Sequence, residues 1–441
     1  MPRVEAPPAI SAEAAAALVK PGDWVDYGLG AAQPEVFDRA LAVRVNGLRG
    51  VKIRSGMAVR PRAVLAADPT GEHFSLLAWH FGGLERNAHD AGIAHYIPMN
   101  FGEAPDYYRR FIERVDVACL QTAPMDAHGF FNFGITVTFL KAITERAKTL
   151  IVETNPHMPR VFGAQEAVHA SDVDFVLEGS GTPLPELPNA PAGEVDKKVA
   201  NLIAAEIEDG ACLQIGIGGM PNAVCTLLKD AGVKGLGIHT EMLVDGILEL
   251  YEAGLVTGEH KQINRGQMVF TFAAGSKRLY DFVDQNSAAQ SFPVDYTNLP
   301  DNIARNERVT SINNTTQIDL QGQVASESSG HRHISGTGGQ LQFVRGAYAS
   351  KRGKSFICLS STYERPGKRE SRIVLTLTPG NIVTTPRTDT MYVVTEYGMT
   401  NLKGKSAPER ALALIGIAHP DFRESLSREA REKKLIPRAF F

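Results

Sequence analysis

Four cysteines in 441 residues, far apart and with no CxxC pair, leave neither a disulfide framework nor a thiolate zinc site. Cys119, Cys212, Cys225 and Cys358 lie in apolar contexts and read as buried free thiols. Long hydrophobic runs are missing too. Nowhere do eighteen apolar residues stand together, and the opening stretch MPRVEAPPAISAEAAAALVKPG lacks a basic segment followed by an apolar one. No membrane association is expected, and a cytoplasmic location is. Charge of one sign is equally scarce: 46 Lys and Arg face 49 Asp and Glu, scattered among one another, so no nucleic-acid partner is implied. His128, His157, His239, His331 and His333 show no HExxH or paired-ligand spacing, and no metal is expected. A Walker lysine motif and a GxSxG nucleophile elbow are absent as well.

What remains is the profile of a soluble α/β enzyme, with 43% hydrophobic residues, 22% charged residues, 41 glycines and 25 prolines. The length exceeds what one core usually organises, so two domains of about 200 residues are expected. SAEAAAALV reads as a short helix capped by Ser11, followed by a strand, DWVDYGLG, that runs into a glycine turn. The β-branched runs GVKIRSGM, IAHYIPMN, VDVACLQTAP and AKTLIVETN then alternate with helical-period stretches such as APDYYRRFIERV and VTFLKAITERA. That rhythm favours a largely parallel sheet with helices on both faces. A proline-rich break at residues 179–194, GSGTPLPELPNAPAGE, marks a linker between a domain at 1–185 and a second at 193–441. The second half opens with its own unit: helix VDKKVANLIAAEIEDG, strand CLQIGIGG, helix PNAVCTLLKDAG, strand GLGIHT and a helix starting at Glu241.

Two glycine clusters and one carboxylate carry the chemistry. GIGGMPNAV, residues 216–224, follows a strand and leads into a helix, where bare backbone can approach a ligand and a helix N-terminus favours anions. ISGTGGQLQFVRGA, residues 334–347, repeats the arrangement with Arg345, His331 and His333 close by. Glu241 stands at the carboxyl end of a strand, where open α/β sheets bind ligands, and can serve there as base or nucleophile. Its plainer role is to complement the dipole of the helix read as starting there.

The ordered motifs YGLGAAQP, MDAHGFFNFG, NPHMPRVFG, IGIGGMPNAV, GLGIHTEMLVDG, GTGGQLQFVRGA and IVTTPRTDTMYVVTEYGMTNLKGKS run nearly end to end. In them the chain resembles the class I coenzyme A transferases, in the acetyl-CoA hydrolase/transferase branch that includes 4-hydroxybutyrate and butyrate:acetate CoA-transferases. The resemblance implies two open, largely parallel-sheet α/β domains of the CoA-transferase type. It implies ping-pong transfer of coenzyme A between a short-chain acyl-CoA and a free carboxylate, through a thioester on Glu241. By the same resemblance Asn298 and the Gly339 N–H stabilise the oxyanion, Gly216, Ile217, Gly218, Gly219 and Met220 form one CoA-binding loop, and Ser335, Gly336 and Gly338 belong to a second. GLGAAQP resembles the loop closing over the acyl pocket, and Glu396 and Tyr397 fall near the site. Coenzyme A is then a substrate, with no permanently bound cofactor, and a homodimer is expected. Gln342, Ala325 and Leu375 depart from the pattern, standing where aspartate, asparagine and proline are usual. Two related activities stay open: acyl-CoA hydrolysis, and transfer to dicarboxylates such as succinate or itaconate, for which Arg60, Arg62 and Arg160 are the candidate cations. A non-catalytic ligand-sensing module is a further alternative, disfavoured by the lack of a helix-turn-helix or a basic tail.

Overall fold

The computed structural model describes residues 5–187 and 191–437. Within the predicted linker, residues 188–190 therefore lie outside the described part. Two parallel sheets dominate. In the first, eight strands are ordered Ala9–Ile10, Phe175–Glu178, Thr149–Thr154, Val117–Thr122, Trp24–Asp26, Val51–Ser55, Phe74–Ala78 and Ala94–Tyr96. Every neighbouring pair is parallel. The fully buried strand Val117–Thr122 shows why its sequence reads as a continuous apolar run, because helices cover both faces of such a sheet. In the second sheet the order is Gly237–Ile238, Cys212–Ile215, Val309–Asn314, Lys354–Cys358, Tyr392–Thr395 and Gly398–Asn401. Only the last pair is antiparallel.

The strand orders fix where a ligand fits. In the first sheet the chain winds outward in opposite directions from the gap between Trp24–Asp26 and Val117–Thr122, and in the second from the gap between Cys212–Ile215 and Val309–Asn314. Such reversal points leave a crevice beyond the carboxyl ends of the strands. YGLGAAQP leaves the first gap and GIGGMP leaves the second. Behind YGLGAAQP, the buried Glu153 carboxylate accepts the N–H groups of Glu35, Val36 and Phe37 at 2.8, 3.2 and 3.0 Å. It thereby caps the helix Val36–Val43, whose first amides lack intrahelical partners.

The first helix, Ala12–Ala17, carries the expected Ser11 cap, whose side chain accepts Ala14 N–H. Two expected helices are displaced. VTFLKAITERA is helical only over Leu140–Thr144, its first residues forming a turn in which Thr138 takes a φ of +37°, just after Thr136 is bridged to Phe272. The helix read from Glu241 begins instead at Asp245, after a short strand Met242–Leu243 that pairs with Phe272–Ala273. Glu241 is therefore not a helix-terminal carboxylate. The linker is packed rather than free: Leu187 N–H donates to Gly275 O at 2.9 Å, and Tyr280 OH donates to Pro185 O at 2.9 Å.

Candidate active site

Glu241 sits in a turn between the strands Gly237–Ile238 and Met242–Leu243, where its own carbonyl accepts the N–H groups of Thr271 and Phe272. Its backbone is thereby clamped. Asn298, at the end of the short helix Val294–Asn298, is fully buried and donates from Nδ2 to Glu241 Oε2 at 2.6 Å. The Gly339 N–H also donates to this carboxylate. Gly339 caps the helix Gln340–Ala349, and a Cβ there would fall on both Glu241 Oε2 and Asn298 Nδ2. Only glycine fits.

Burial raises the Glu241 pKa from 4.5 to about 7, and the bonds from Asn298 and Gly339 hold it from rising further. His239, which sequence reasoning left without a partner, bonds from Nε2 to Thr297 O at 2.8 Å and so fixes the residue next to Asn298. Burial keeps that imidazole neutral, with a pKa near 3. Nothing in the spacing of His239 and Thr297 signals the contact, since it joins a strand end to a helix 58 residues away.

The predicted loops converge only in part. Ile217 is exposed and Gly216 has open space where a Cβ would be. Gly218 takes a φ of +122°, which favours glycine. Gly219 packs against Asp196 instead, and Met220 lies in the core. In the second turn, Ser335 O accepts Phe81 N–H at 3.2 Å and Gly338 O accepts Phe101 N–H at 3.0 Å, so both contact the first half. Gly336 is pressed against Trp79 and His80. Glu396 and Tyr397 contact Ser361 and His419, and no bond links either to Glu241 among the described residues.

A cavity of about 930 Å³ opens between the halves. Gly30 and Ala31 of the first crevice face Ile217 of the second across it, with Met57, His80, Thr136, Phe272 and Ser335 on its wall. None of the three arginines proposed as dicarboxylate partners lines it. Arg60 pairs with Glu35 at 3.0 Å, Arg62 is buried with Asp38 as its counter-charge, and Arg160 donates to Pro124 O at 2.6 Å. Arg86 is the cation on this wall, and its Nη1 is bonded to Ile334 O. Among the described residues no group of three or more acidic, histidine or cysteine side chains is placed to hold a metal ion.

Known proteins share this arrangement. Residues 8–188 match the acetyl-CoA hydrolase/transferase N-terminal domain and residues 275–430 the corresponding C-terminal domain. The butyryl-CoA:acetate CoA-transferase of Anaerostipes caccae is 47% identical over 97% of both chains. The crystal structure of RipA from Yersinia pestis superposes with a TM-score of 0.89 at 38% identity, covering 97% of this chain and 98% of that one. A 4-hydroxybutyrate CoA-transferase from Porphyromonas gingivalis gives 0.80 at 34% identity with the same coverage. With both family models matched and the relatives aligned over nearly the whole chain, the chain belongs to the acetyl-CoA hydrolase/transferase family.

Proposed function

We propose that this enzyme is a CoA-transferase that moves coenzyme A between short-chain acyl-CoA and free carboxylic acids, of the butyrate, acetate or 4-hydroxybutyrate type, with Glu241 as covalent carrier. The observation carrying this reading is the Glu241 carboxylate, held by two N–H donors, with its backbone bonded to Phe272 of the cavity wall. A carboxylate needs no general base, and a covalent carrier splits one exchange into easier steps. A Glu241 oxygen attacks the acyl carbon and the carbonyl electron pair moves onto oxygen. Collapse of that adduct breaks the C–S bond and leaves an acyl-glutamyl anhydride with free CoA thiolate. The thiolate then adds to the glutamyl carbon, and the resulting oxyanion falls where Asn298 Nδ2 and Gly339 N–H already point. Loss of the acyl carboxylate leaves glutamyl-CoA, which an acceptor acid discharges by the same steps reversed.

The largely apolar wall, with Ala31, Met57, Ile217 and Phe272, supports a short alkyl chain over a second carboxylate. Incubation with butyryl-CoA followed by borohydride reduction or peptide mass spectrometry should mark the peptide bearing Glu241. A label elsewhere would refute the assignment. Acetyl-CoA should form from butyryl-CoA only with added acetate and without net free CoA; free CoA accumulating in the absence of any acceptor acid would make the enzyme a hydrolase.

A further inference from the structure

The carrier reading leaves one charge without a donor. Asn298 and Gly339 are both committed to the glutamyl side, yet addition to the acyl carbon places a second oxyanion on the substrate's own oxygen. That oxygen leaves with the departing acid, and the acceptor carboxylate then brings an oxygen of its own to the same position. Several polar groups on the cavity wall are already engaged. Tyr280 OH donates to Pro185 O, Ser335 Oγ donates to Ser326 O, and Arg86 Nη1 donates to Ile334 O.

His80 is different. It follows the strand Phe74–Ala78 at its carboxyl end and lines the cavity. Neither ring nitrogen has a hydrogen-bond or ion-pair partner among the described residues, and neither is sealed from the cavity. Its Nδ1–Cε1 edge faces the glycine turn: the place a Cβ on Gly338 would take is 3.7 Å from His80 Cε1 and 3.9 Å from Glu241 Oε1. The imidazole and the Glu241 carboxylate thus flank the same turn residue, Gly338. Burial, then the nearby His333 and Arg86, lowers its pKa to about 4, so the ring is neutral and presents one N–H.

We propose that the His80 ring N–H is the donor for the acyl-side oxygen, binding the acceptor carboxylate and stabilising the oxyanion formed when Glu241 adds to the acyl carbon. This rests on Glu241 as carrier. In that addition the C–O bond to Glu241 forms as the carbonyl π pair moves to the oxygen facing His80. Collapse then returns the pair and expels the thiolate, and no proton is transferred.

Three variants test it. His80→Phe keeps the ring shape without a donor and should lower kcat/KM for butyryl-CoA about 10²–10³-fold, with the acetate KM raised. His80→Gln restores an N–H and should recover at least tenfold of that loss. His95→Phe makes the same change at an exposed histidine of the strand Ala94–Tyr96, outside the cavity, and should leave the rate within a few-fold. Full activity in His80→Phe, no recovery in His80→Gln, or the whole loss appearing in His95→Phe would each overturn the assignment. In the unmutated enzyme the imidazole ¹⁵N resonance of His80 should move on adding butyrate, and an unmoved resonance would overturn it even if the phenylalanine variant failed to fold. Failure of the carrier reading looks different, because the unmutated enzyme would then yield no labelled Glu241 peptide at all.

Discussion

At Glu241, one raised pKa has two opposite consequences. In the proposed carrier role the attacking form is the anion, so kcat/KM should climb with pH and level off above an inflection near 7. Asn298→Ala removes a bond that favours the anion, so its inflection should move to higher pH while the plateau falls about 10²–10³-fold. A pH–rate profile of both proteins checks this, and an unmoved inflection would detach Asn298 from the nucleophile. Stability runs the other way. A carboxyl whose folded pKa lies above its unfolded value favours folding only while protonated. The penalty therefore accumulates as pH rises from 4.5 to about 7 and is complete beyond it. Glu241→Gln should then be inactive yet more stable by about 3 kcal/mol at pH 8, with no gain at pH 4. Urea unfolding at the two pH values measures it. The sequence made Glu241 and Asn298 legible through family motifs. The raised pKa was not legible, because it comes from burial in the folded chain, moderated by bonds from residues 57 and 98 positions away. His80 went unnoticed for the same reason, being an ordinary histidine until a strand end places it on the cavity wall.

Turns between elements separate glycines needed for packing from those kept open for a ligand. Gly339 has no room for a side chain, so Gly339→Ala must displace Glu241 or Asn298 and should abolish turnover. Gly216 has nothing within 4 Å of a Cβ position, so Gly216→Ala should fold with an unchanged melting temperature. If that open backbone approaches coenzyme A, the same variant should raise the KM for acyl-CoA about tenfold or more, by analogy with the 1–3 kcal/mol of an impaired polar contact. Unchanged KM with unchanged stability would remove Gly216 from the binding loop. The alternation of runs was read correctly from period and turn residues, and both long sheets follow from it. Element starts were less legible at Glu241 and over residues 137–139. Pairing of Met242–Leu243 with Phe272–Ala273 holds the chain extended after Glu241, and a turn with Thr138 at a φ of +37° precedes the other helix, neither of which local sequence reports.

At the scale of the whole molecule, the proposed site lies where two crevices face each other, and many contacts hold them in register. Among these, Arg332 pairs with Asp90, Arg86 bonds to Ile334 O, and Phe101 N–H bonds to Gly338 O, one residue from the proposed oxyanion donor Gly339. The buried Gln342 adds another. Standing where the resembled family usually has aspartate, it accepts the Gly102 N–H at 2.8 Å and fills the space that a Cβ on Gly102 would occupy. Leucine at this position keeps the volume but leaves a buried amide unpaired, at a cost of about 1–3 kcal/mol. Since the Phe101–Gly102 segment also carries the bond to Gly338, slack there should reach Gly339 and the Glu241 carboxylate. Gln342→Leu is thus expected to lose stability by that amount in urea unfolding and to lower kcat several-fold, while Gln342→Glu, which keeps an acceptor of the same length, should retain more of both. A leucine variant that is destabilised yet turns over at the parental rate would show that the halves can loosen without disturbing the nucleophile, and would confine Gln342 to holding the fold.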